Sequence, residues 1–181
     1  MTTRTLLVLA LALLPGCAQL LPGQDVRYAP TPHHVVDAML RLARVGPNDV
    51  VYDLGSGDGR VVIAAARNYG ARAVGVEIVP DLVAESRLTA DAASLGDRAQ
   101  FVLQDIFEVD VSPASVVALY LSEELNARLR PKLLRELRPG SRIVSYRVDM
   151  EDWRPDTQIE VDDNDRRRII YLWTVPPRGT P

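Results

Sequence analysis

The sequence is poor in the residues that build metal sites and disulfide frameworks. It contains one cysteine, Cys17, and two histidines, His33 and His34. A single cysteine excludes both a disulfide framework and a cysteine-rich zinc site. The histidines are adjacent, and because neighbouring residues on a helix point about 100° apart, they do not chelate a metal well by themselves. We therefore expect no metal site.

An excess of positive charge is also missing. The chain has 21 Lys and Arg against 24 Asp and Glu, which gives a net charge of -3. Because nucleic-acid binding rests on a basic surface, nucleic acid is not expected as a main partner. The 181 residues favour one domain. Such a domain buries about two-thirds of its unfolded surface, enough for an independent core.

The N-terminal apolar run is too short to span a membrane. Leu6–Leu14 contains nine apolar residues after Arg4, whereas a transmembrane helix needs about 20. Its length is typical of the apolar region of a signal peptide. The following Leu14-Pro15-Gly16-Cys17 resembles the lipobox of bacterial lipoproteins, which implies cleavage before a lipidated Cys17.

We therefore predict a signal peptide at residues 1–16, a tether at 17–27 and one folded domain at 28–181. The expected location is membrane-anchored or secreted. An uncleaved hydrophobic anchor, a misassigned start and a cytoplasm-facing orientation remain open.

Apolar periodicity and turn residues predict alternating strands and helices. A first helix is expected to begin with Thr31 as its N-cap, and Pro131 is expected to interrupt a later helix capped by Ser122. We interpret the order as a helix, four βα units, a strand and a hairpin. This predicts an α/β, Rossmann-like, doubly wound and mostly parallel sheet with a C-terminal antiparallel hairpin. The predicted strands are Val50–Leu54, Ala73–Ile78, Gln100–Leu103, Ser115–Leu119, Ile143–Tyr146, Thr157–Val161 and Ile169–Val175.

A glycine-rich segment, Asp53-Leu54-Gly55-Ser56-Gly57-Asp58-Gly59-Arg60, follows the first of these strands. Its glycines allow a tight turn and close approach of a ligand to the backbone. A dinucleotide site would have glycine where Arg60 stands. The Asp53 carboxylate could accept hydrogen bonds from the N–H groups of the loop or from a ligand ammonium.

This segment resembles motif I of class I S-adenosylmethionine-dependent methyltransferases. Three further segments agree with that family: Glu77 at the end of the second strand, Gln104-Asp105-Ile106 after the third, and Arg138-Pro139-Gly140 before the fifth. An acid at the position of Glu77 accepts hydrogen bonds from ribose hydroxyls in related folds. The resemblance implies that S-adenosyl-L-methionine is the cofactor. The residues implied to bind it are Tyr28, Thr31, Asp53, Gly55, Ser56, Gly57, Glu77, Ile78, Asp105 and Ile106.

A narrower resemblance covers residues 28 to about 156. Tyr28, the glycine segment and Tyr120-Leu121 resemble small methyltransferases that modify protein lysines, a group that includes the mitochondrial enzyme acting on the ATP synthase c-subunit. On the substrate side it implies Tyr120, Glu123 and Asn126 as candidate catalytic residues. Trp153 could wall the site or serve packing.

The function expected from these features is methyl transfer to a protein lysine, in a monomer whose substrate lies near a membrane. Two alternatives remain. One is a small-molecule methyltransferase of the same fold. The other is a non-catalytic, ligand-binding lipoprotein that has kept the fold, since S-adenosylmethionine is made in the cytoplasm and the N-terminal segment directs the chain elsewhere.

Overall fold

The computed structural model describes residues 30–179. The predicted signal peptide and tether, Cys17 and Tyr28 therefore lie outside the described residues. Among residues 30–179, no helix is both long and apolar enough to cross a bilayer. The elements are α1 (His33–Leu42), β1 (Val50–Leu54), α2 (Arg60–Tyr69), β2 (Arg72–Glu77), α3 (Pro80–Ala92), β3 (Ala99–Leu103), β4 (Val116–Leu119), α4 (Glu123–Glu136), β5 (Arg142–Tyr146), β6 (Thr157–Asp163) and β7 (Arg166–Thr174), with a 3₁₀ turn at Gly96–Arg98.

One mixed sheet organises the described residues, with strands in the order β3-β2-β1-β4-β5-β7-β6. Strands β1 to β5 are parallel, and β7 is antiparallel to both β5 and β6. The chain leaves β1 towards β2 and β3, then returns to place β4 on the other side of β1. Sheets of this class bind ligands beyond the carboxyl ends of the strands at such a reversal. The predicted Rossmann-like fold with a C-terminal hairpin is confirmed.

Separate cores cover the two faces of the sheet. Helices α1, α2 and α3 pack on one face, with Met39, Val62 and Val83 among the buried residues. Helix α4 packs on the other, where Leu129 and Trp173 are fully buried. Burial of a large apolar side chain contributes about 1.5–3 kcal/mol. Both cores therefore stabilise the sheet beneath the edge where a ligand would bind.

The expectation of four βα units is wrong, because β3 is followed by a loop. Residues 104–115 connect β3 to β4 without a helix. Asp105 and Asp110 each accept a hydrogen bond from the backbone N–H two residues later, and such turns compete with a helix. Val109 and Val111 anchor the loop in the second core. The described chain thus has three βα units, β1-α2, β2-α3 and β4-α4.

Pro131 does not interrupt α4, contrary to the prediction. The helix runs from Glu123 to Glu136 with Pro131 inside it. A proline in a helix interior costs about 3 kcal/mol, since it removes one hydrogen bond and crowds the preceding turn. Leu129 and Leu133 on either side are completely buried, and their burial offsets that cost.

The hairpin is also longer than its apolar residues predict. Its turn is confined to Asn164 and Asp165, whose φ angles are 49° and 62°. Two successive left-handed residues are typical of the tight turns that match strand twist. The arginines at 166–168 therefore belong to β7, where Arg166 pairs in register with Asp163.

Candidate active site

A cavity of about 350 Å³ opens at the carboxyl ends of β1 and β4. Small-molecule and cofactor sites usually have volumes of about 300–1,000 Å³. The loop between β1 and α2 forms one side of the cavity, and Tyr120, directly after β4, forms another. The residues expected in the site that line it are Thr31, Asp53, Gly55, Ser56, Gly57, Glu77, Ile78, Asp105, Ile106 and Tyr120.

The β1–α2 loop depends on glycine for both conformation and packing. Gly55 and Gly59 have φ angles of 83° and 78°, which residues with a Cβ rarely adopt. A Cβ on Gly55 would lie 2.9 Å from Leu121 Cδ2. One on Gly59 would lie 2.6 Å from the Phe101 ring. The loop can therefore approach the cavity closely, and α2 can start directly against the sheet.

Glu77 holds this loop in place. Its Oε2 accepts a hydrogen bond from Gly57 N at 2.9 Å, and its Oε1 accepts from Ile78 N at 2.8 Å and Val79 N at 3.0 Å. A carboxylate offers about four acceptor positions, so three backbone donors leave capacity for a ligand hydroxyl. It is thus Glu77, and not Asp53, that accepts from the loop N–H group.

Asp53 is a buried acid without a hydrogen-bonding partner among the described residues. Burial, with the negative charges of Glu77 and Asp58 as smaller causes, raises the pKa of its carboxyl to about 7. A positively charged ligand group beside it would favour the ionised form. Of the two roles open to Asp53 from the sequence, the geometry therefore favours contact with a ligand cation.

Two further polar groups complete this side of the cavity. The Ser56 hydroxyl is buried, and no described residue forms a hydrogen bond with it. A Cβ on Gly75 would lie 2.7 Å from this oxygen, so the hydroxyl packs against β2 and other atoms of Ser56 line the cavity. Asp105 Oδ1 accepts from Phe107 N at 2.9 Å, and this turn places Ile106 in the cavity wall. We call Asp53, residues 55–57, Glu77 and Asp105 the loop wall.

Thr31 does not cap α1, contrary to the prediction. Pro32 occupies the N-cap position, and its carbonyl accepts from Val35 N at 2.9 Å. Thr31 is instead buried and lines the cavity. Arg60 donates to Thr31 O at 2.7 Å and pairs with Asp58. The segment before α1 is thereby attached to the glycine loop, a contact that the sequence did not suggest.

Tyr120, packed on the buried Tyr146 ring, forms another side of the cavity. The Tyr120 and Tyr146 rings lie 4.8 Å apart between centroids, in a tilted arrangement. Arg147 donates from Nη1 to the Tyr120 hydroxyl at 2.9 Å. Tyr146 donates to Asp163 Oδ2 at 2.7 Å, and burial followed by the Asp163 contact raises the pKa of Tyr146 above its ordinary value. We call Tyr120, Tyr146 and Arg147 the tyrosine wall.

The structure does not bring Glu123 or Asn126 into the cavity. Glu123 is exposed in the first turn of α4. Asn126 is completely buried, and its Nδ2 contacts the Ser145 hydroxyl and donates to Asp149 O at 3.2 Å. An amide used in this way supports the backbone after β5. Trp153 also lies away from the cavity, packed at 6.0 Å from Trp173.

Sequence reasoning missed Phe107 and Arg128, which both line the cavity. The Arg128 guanidinium lies 4.3 Å from the Phe107 ring centroid, an attractive cation–π distance. The pair joins the β3–β4 loop to α4 across 21 positions of the chain. The only local signal was the position of Phe107 just after Asp105-Ile106. Among residues 30–179, no group of three or more His, Cys, Asp or Glu side chains could hold a metal ion.

A glycine loop without the dinucleotide spacing, beside an acid that ends the next strand of a 3-2-1-4-5-7-6 sheet, is the arrangement of class I methyltransferases. This chain is a methyltransferase of that fold. It belongs to the family described as "ANTKMT methyltransferase domain", which matches residues 53–157.

Similar proteins agree on the chemistry and differ in the named acceptor. A protein-lysine N-methyltransferase of Saccharolobus islandicus (strain REY15A) is 41% identical over 83% of this chain and 94% of that protein. The adenine nucleotide translocase lysine N-methyltransferase of Mus musculus is 34% identical over 81% of this chain and 63% of that protein. A Salinibacter ruber RNA methyltransferase, solved in complex with S-adenosyl-L-homocysteine, is 50% identical with a TM-score of 0.78, covering 84% of this chain and 97% of that chain.

These findings confirm the predicted enzyme class, its S-adenosylmethionine dependence and its place near the protein-lysine methyltransferases. The non-catalytic alternative is correspondingly disfavoured.

Proposed function

We propose that this chain transfers methyl groups from S-adenosylmethionine to lysine side chains of a protein substrate. The observation that carries the proposal is the cavity at the β1–β4 reversal, with acids on its loop wall and an aromatic ring on another side. Relatives named for lysine methylation support the choice of acceptor.

The residues of the loop wall fit this cofactor. Asp53 offers an acid suited to a ligand ammonium, and Glu77 offers spare acceptor capacity for ribose hydroxyls. When bound, S-adenosylmethionine supplies a methyl group activated by its sulfonium. Following the family resemblance, we assign the adenine amino group to Asp105, apolar contacts to Ile78 and Ile106, close backbone approach to Gly55 and Gly57, and cover of the methionine part to Thr31 and Tyr28.

A lysine acceptor must react as the neutral amine. With a pKa near 10.4, deprotonation at pH 7 costs roughly 4–5 kcal/mol. A desolvating environment lowers that cost because it disfavours the ammonium form. Tyr120, backed by the buried Tyr146 ring, provides such an environment beside the cavity. The chain then needs only to hold the amine in line and exclude water.

Of the three candidate catalytic residues, Tyr120 has the best geometric support. It lines the cavity, whereas Glu123 and Asn126 do not. We propose Tyr120 as the acceptor-side residue and Asn126 as a positioning residue. Glu123 stays a candidate proton acceptor with weaker support, because its carboxylate is exposed at the start of α4.

RNA is the alternative acceptor, because a 50% identical structure is named an RNA methyltransferase. The net charge of -3 favours protein over RNA. The test is tritiated methyl transfer to lysate protein, to total RNA and to extractable small molecules, with methyl-lysine identified by mass spectrometry. Methylation of the enzyme's own lysines should contribute little label. Lys132 is the only lysine of the sequence, and it is buried in an ion pair with Glu136. Label found only in RNA or small molecules would refute the lysine proposal.

We further propose that the protein is a monomer anchored to a membrane through Cys17 or the apolar run before it. Support comes from the sequence of residues 6–17 alone. Labelling with a fatty-acid analogue, wild type against Cys17→Ser, tests lipidation, and cell fractionation tests location. A soluble, unlabelled full-length chain would contradict the anchor. Size-exclusion chromatography with light scattering tests the monomer.

A further inference from the structure

Arg147 occupies an unusual backbone position directly after β5. Its φ angle is 70°, a left-handed conformation that non-glycine residues rarely adopt. Its backbone N–H donates to Ile169 O at 2.8 Å. A conformation of this kind persists only where surrounding contacts impose it.

Those contacts come from the buried Asn126 and Ser145 side chains. The Ser145 hydroxyl donates to Val148 O at 2.6 Å. Asn126 Nδ2 contacts Val148 O at 3.4 Å and Asp149 O at 3.2 Å. The two side chains thus hold the carbonyls of the residues that follow Arg147. We call Asn126 and Ser145 the latch.

After this turn the Arg147 side chain contacts Tyr120. Its Nη1 lies 2.9 Å from the Tyr120 hydroxyl, and its guanidinium carbon lies 5.9 Å from the Tyr120 ring centroid. Tyr120 lines the cavity, whereas Arg147 lies behind it and is exposed. An arginine side chain stays protonated throughout the pH range of enzyme assays. A fixed positive charge therefore stands next to the residue proposed to face the acceptor.

Charged groups of both signs surround Tyr120, and among the described residues it is Arg147 that forms a hydrogen bond with its hydroxyl. Asp163, the acid nearest the tyrosine pair, already accepts hydrogen bonds from Tyr146 and Asn164. Other charged or titratable groups on the surrounding elements include His33 and His34 on α1, Asp53 on β1, Asp58 and Arg60 in the glycine loop, Glu77 at the end of β2, Asp105 after β3, Glu123 and Arg128 on α4, Asp149 after β5, Asp162 on β6, and Arg167 and Arg168 on β7.

We infer that Arg147 is a positioning residue that fixes Tyr120 and, through its charge, favours the neutral form of the acceptor amine. This inference rests on the proposed lysine acceptor. A like charge nearby disfavours the ammonium, so it lowers the amine pKa. In the step that follows, the amine lone pair forms the N–C bond while the C–S bond breaks, its electrons remain on sulfur, and the methylated ammonium later loses a proton to solvent.

The experiment compares Arg147→Gln with Arg147→Lys in the full-length protein. Both retain the same backbone strain, but only lysine keeps the charge. Arg138→Gln is the matched charge control, since Arg138 is exposed before β5, at the opposite end of that strand. Initial rates of methyl-lysine formation in lysate protein are measured from pH 6 to 10 at saturating acceptor, so that the profile reports the pKa of the amine bound to the enzyme. Calorimetry with S-adenosylhomocysteine checks that the donor site is intact, and thermal unfolding checks that the variants are folded.

We expect Arg147→Gln to move the rising limb of the pH profile upward by about half a pH unit, a small shift because the guanidinium is solvent-exposed. Arg147→Lys and Arg138→Gln should leave the limb in place, and the affinity for S-adenosylhomocysteine should be unchanged. An unmoved limb in Arg147→Gln, or an equal shift in Arg138→Gln, would overturn the inference. If the wild type forms no methyl-lysine at any pH, the proposed function itself fails. If the wild type forms methyl-lysine but the variants do not behave as expected, only the inference about Arg147 fails.

Discussion

The loop wall lines the cavity directly, the tyrosine wall reaches it through Tyr120, and the two are built in different ways. The loop wall relies on backbone: three N–H groups of Gly57, Ile78 and Val79 converge on Glu77. The tyrosine wall relies on side chains from distant positions, with Arg147 reaching Tyr120 across 27 residues. A binding site built from backbone groups tolerates few substitutions in its loop. A binding site built from side chains can change its specificity when single residues are replaced. The same donor site can therefore serve different acceptors, as the differing names of the relatives illustrate.

Replacement of Glu77 should produce the largest effect and break the loop wall. In Glu77→Gln one oxygen becomes an amide that cannot accept from a backbone N–H, and a buried charged acceptor is lost. Such a loss costs about 1.5–3 kcal/mol, so we expect about a 100-fold lower affinity for S-adenosylhomocysteine by calorimetry. Glu85→Gln, an exposed position on α3, is the control and should bind normally. If Glu77→Gln and the wild type bind S-adenosylhomocysteine with equal affinity, Glu77 does not contribute to the donor site.

Loss of the latch should instead affect the tyrosine wall alone. Asn126→Ala removes the amide contacts to Val148 O and Asp149 O, and the loss of a hydrogen bond of this kind costs about 0.5–1.5 kcal/mol. We expect kcat about tenfold lower and a reduced free energy of unfolding, with S-adenosylhomocysteine affinity retained. Asn68→Ala, an exposed site at the end of α2, should change neither. A parallel loss of S-adenosylhomocysteine binding would contradict the separation of the two walls.

The difference between the two walls also explains which parts of the site could be predicted from the sequence. The fold and the loop wall follow local rules: Gly70 ends α2 in the left-handed conformation, and Glu77 ends β2. The tyrosine wall follows none, since nothing near Tyr120 in sequence indicates Arg147 or Tyr146. The family resemblance implies Glu123 and Asn126 as site residues because they follow the fourth strand. The start of α4 turns Asn126 into the core and leaves Glu123 in solvent.

A pH dependence of donor binding should come from the loop wall. Burial raises the pKa of Asp53 to about 7, above the unfolded value of about 3.9. Asp53 therefore takes up a proton in the free enzyme as pH falls through 7, and a ligand ammonium then loses its partner. We expect the affinity for S-adenosylhomocysteine to rise about fivefold from pH 6 to pH 8, less than the tenfold limit for one such group.

Asp53→Asn should abolish this dependence. The same linkage makes the free energy of unfolding of the wild type fall as pH rises from 4 through 7, because the folded state holds the proton more tightly. Asp53→Asn should flatten that curve too. If the wild-type affinity does not change between pH 6 and 8, Asp53 does not contact the ligand cation.

A last pair of variants separates two residues that the sequence analysis grouped together. Tyr120→Phe keeps the ring that lines the cavity but removes the hydroxyl that accepts from Arg147. The loss of one hydrogen bond, about 0.5–1.5 kcal/mol, corresponds to a reduction in kcat of about three- to tenfold. Glu123→Gln should change kcat by less than about twofold, since exposed charges contribute little. Full activity in both variants would remove Tyr120 from the mechanism. A large loss in Glu123→Gln alone would mean that a bound protein substrate completes the acceptor site at the start of α4, where the exposed Glu123 could then take the proton released from the methylated amine.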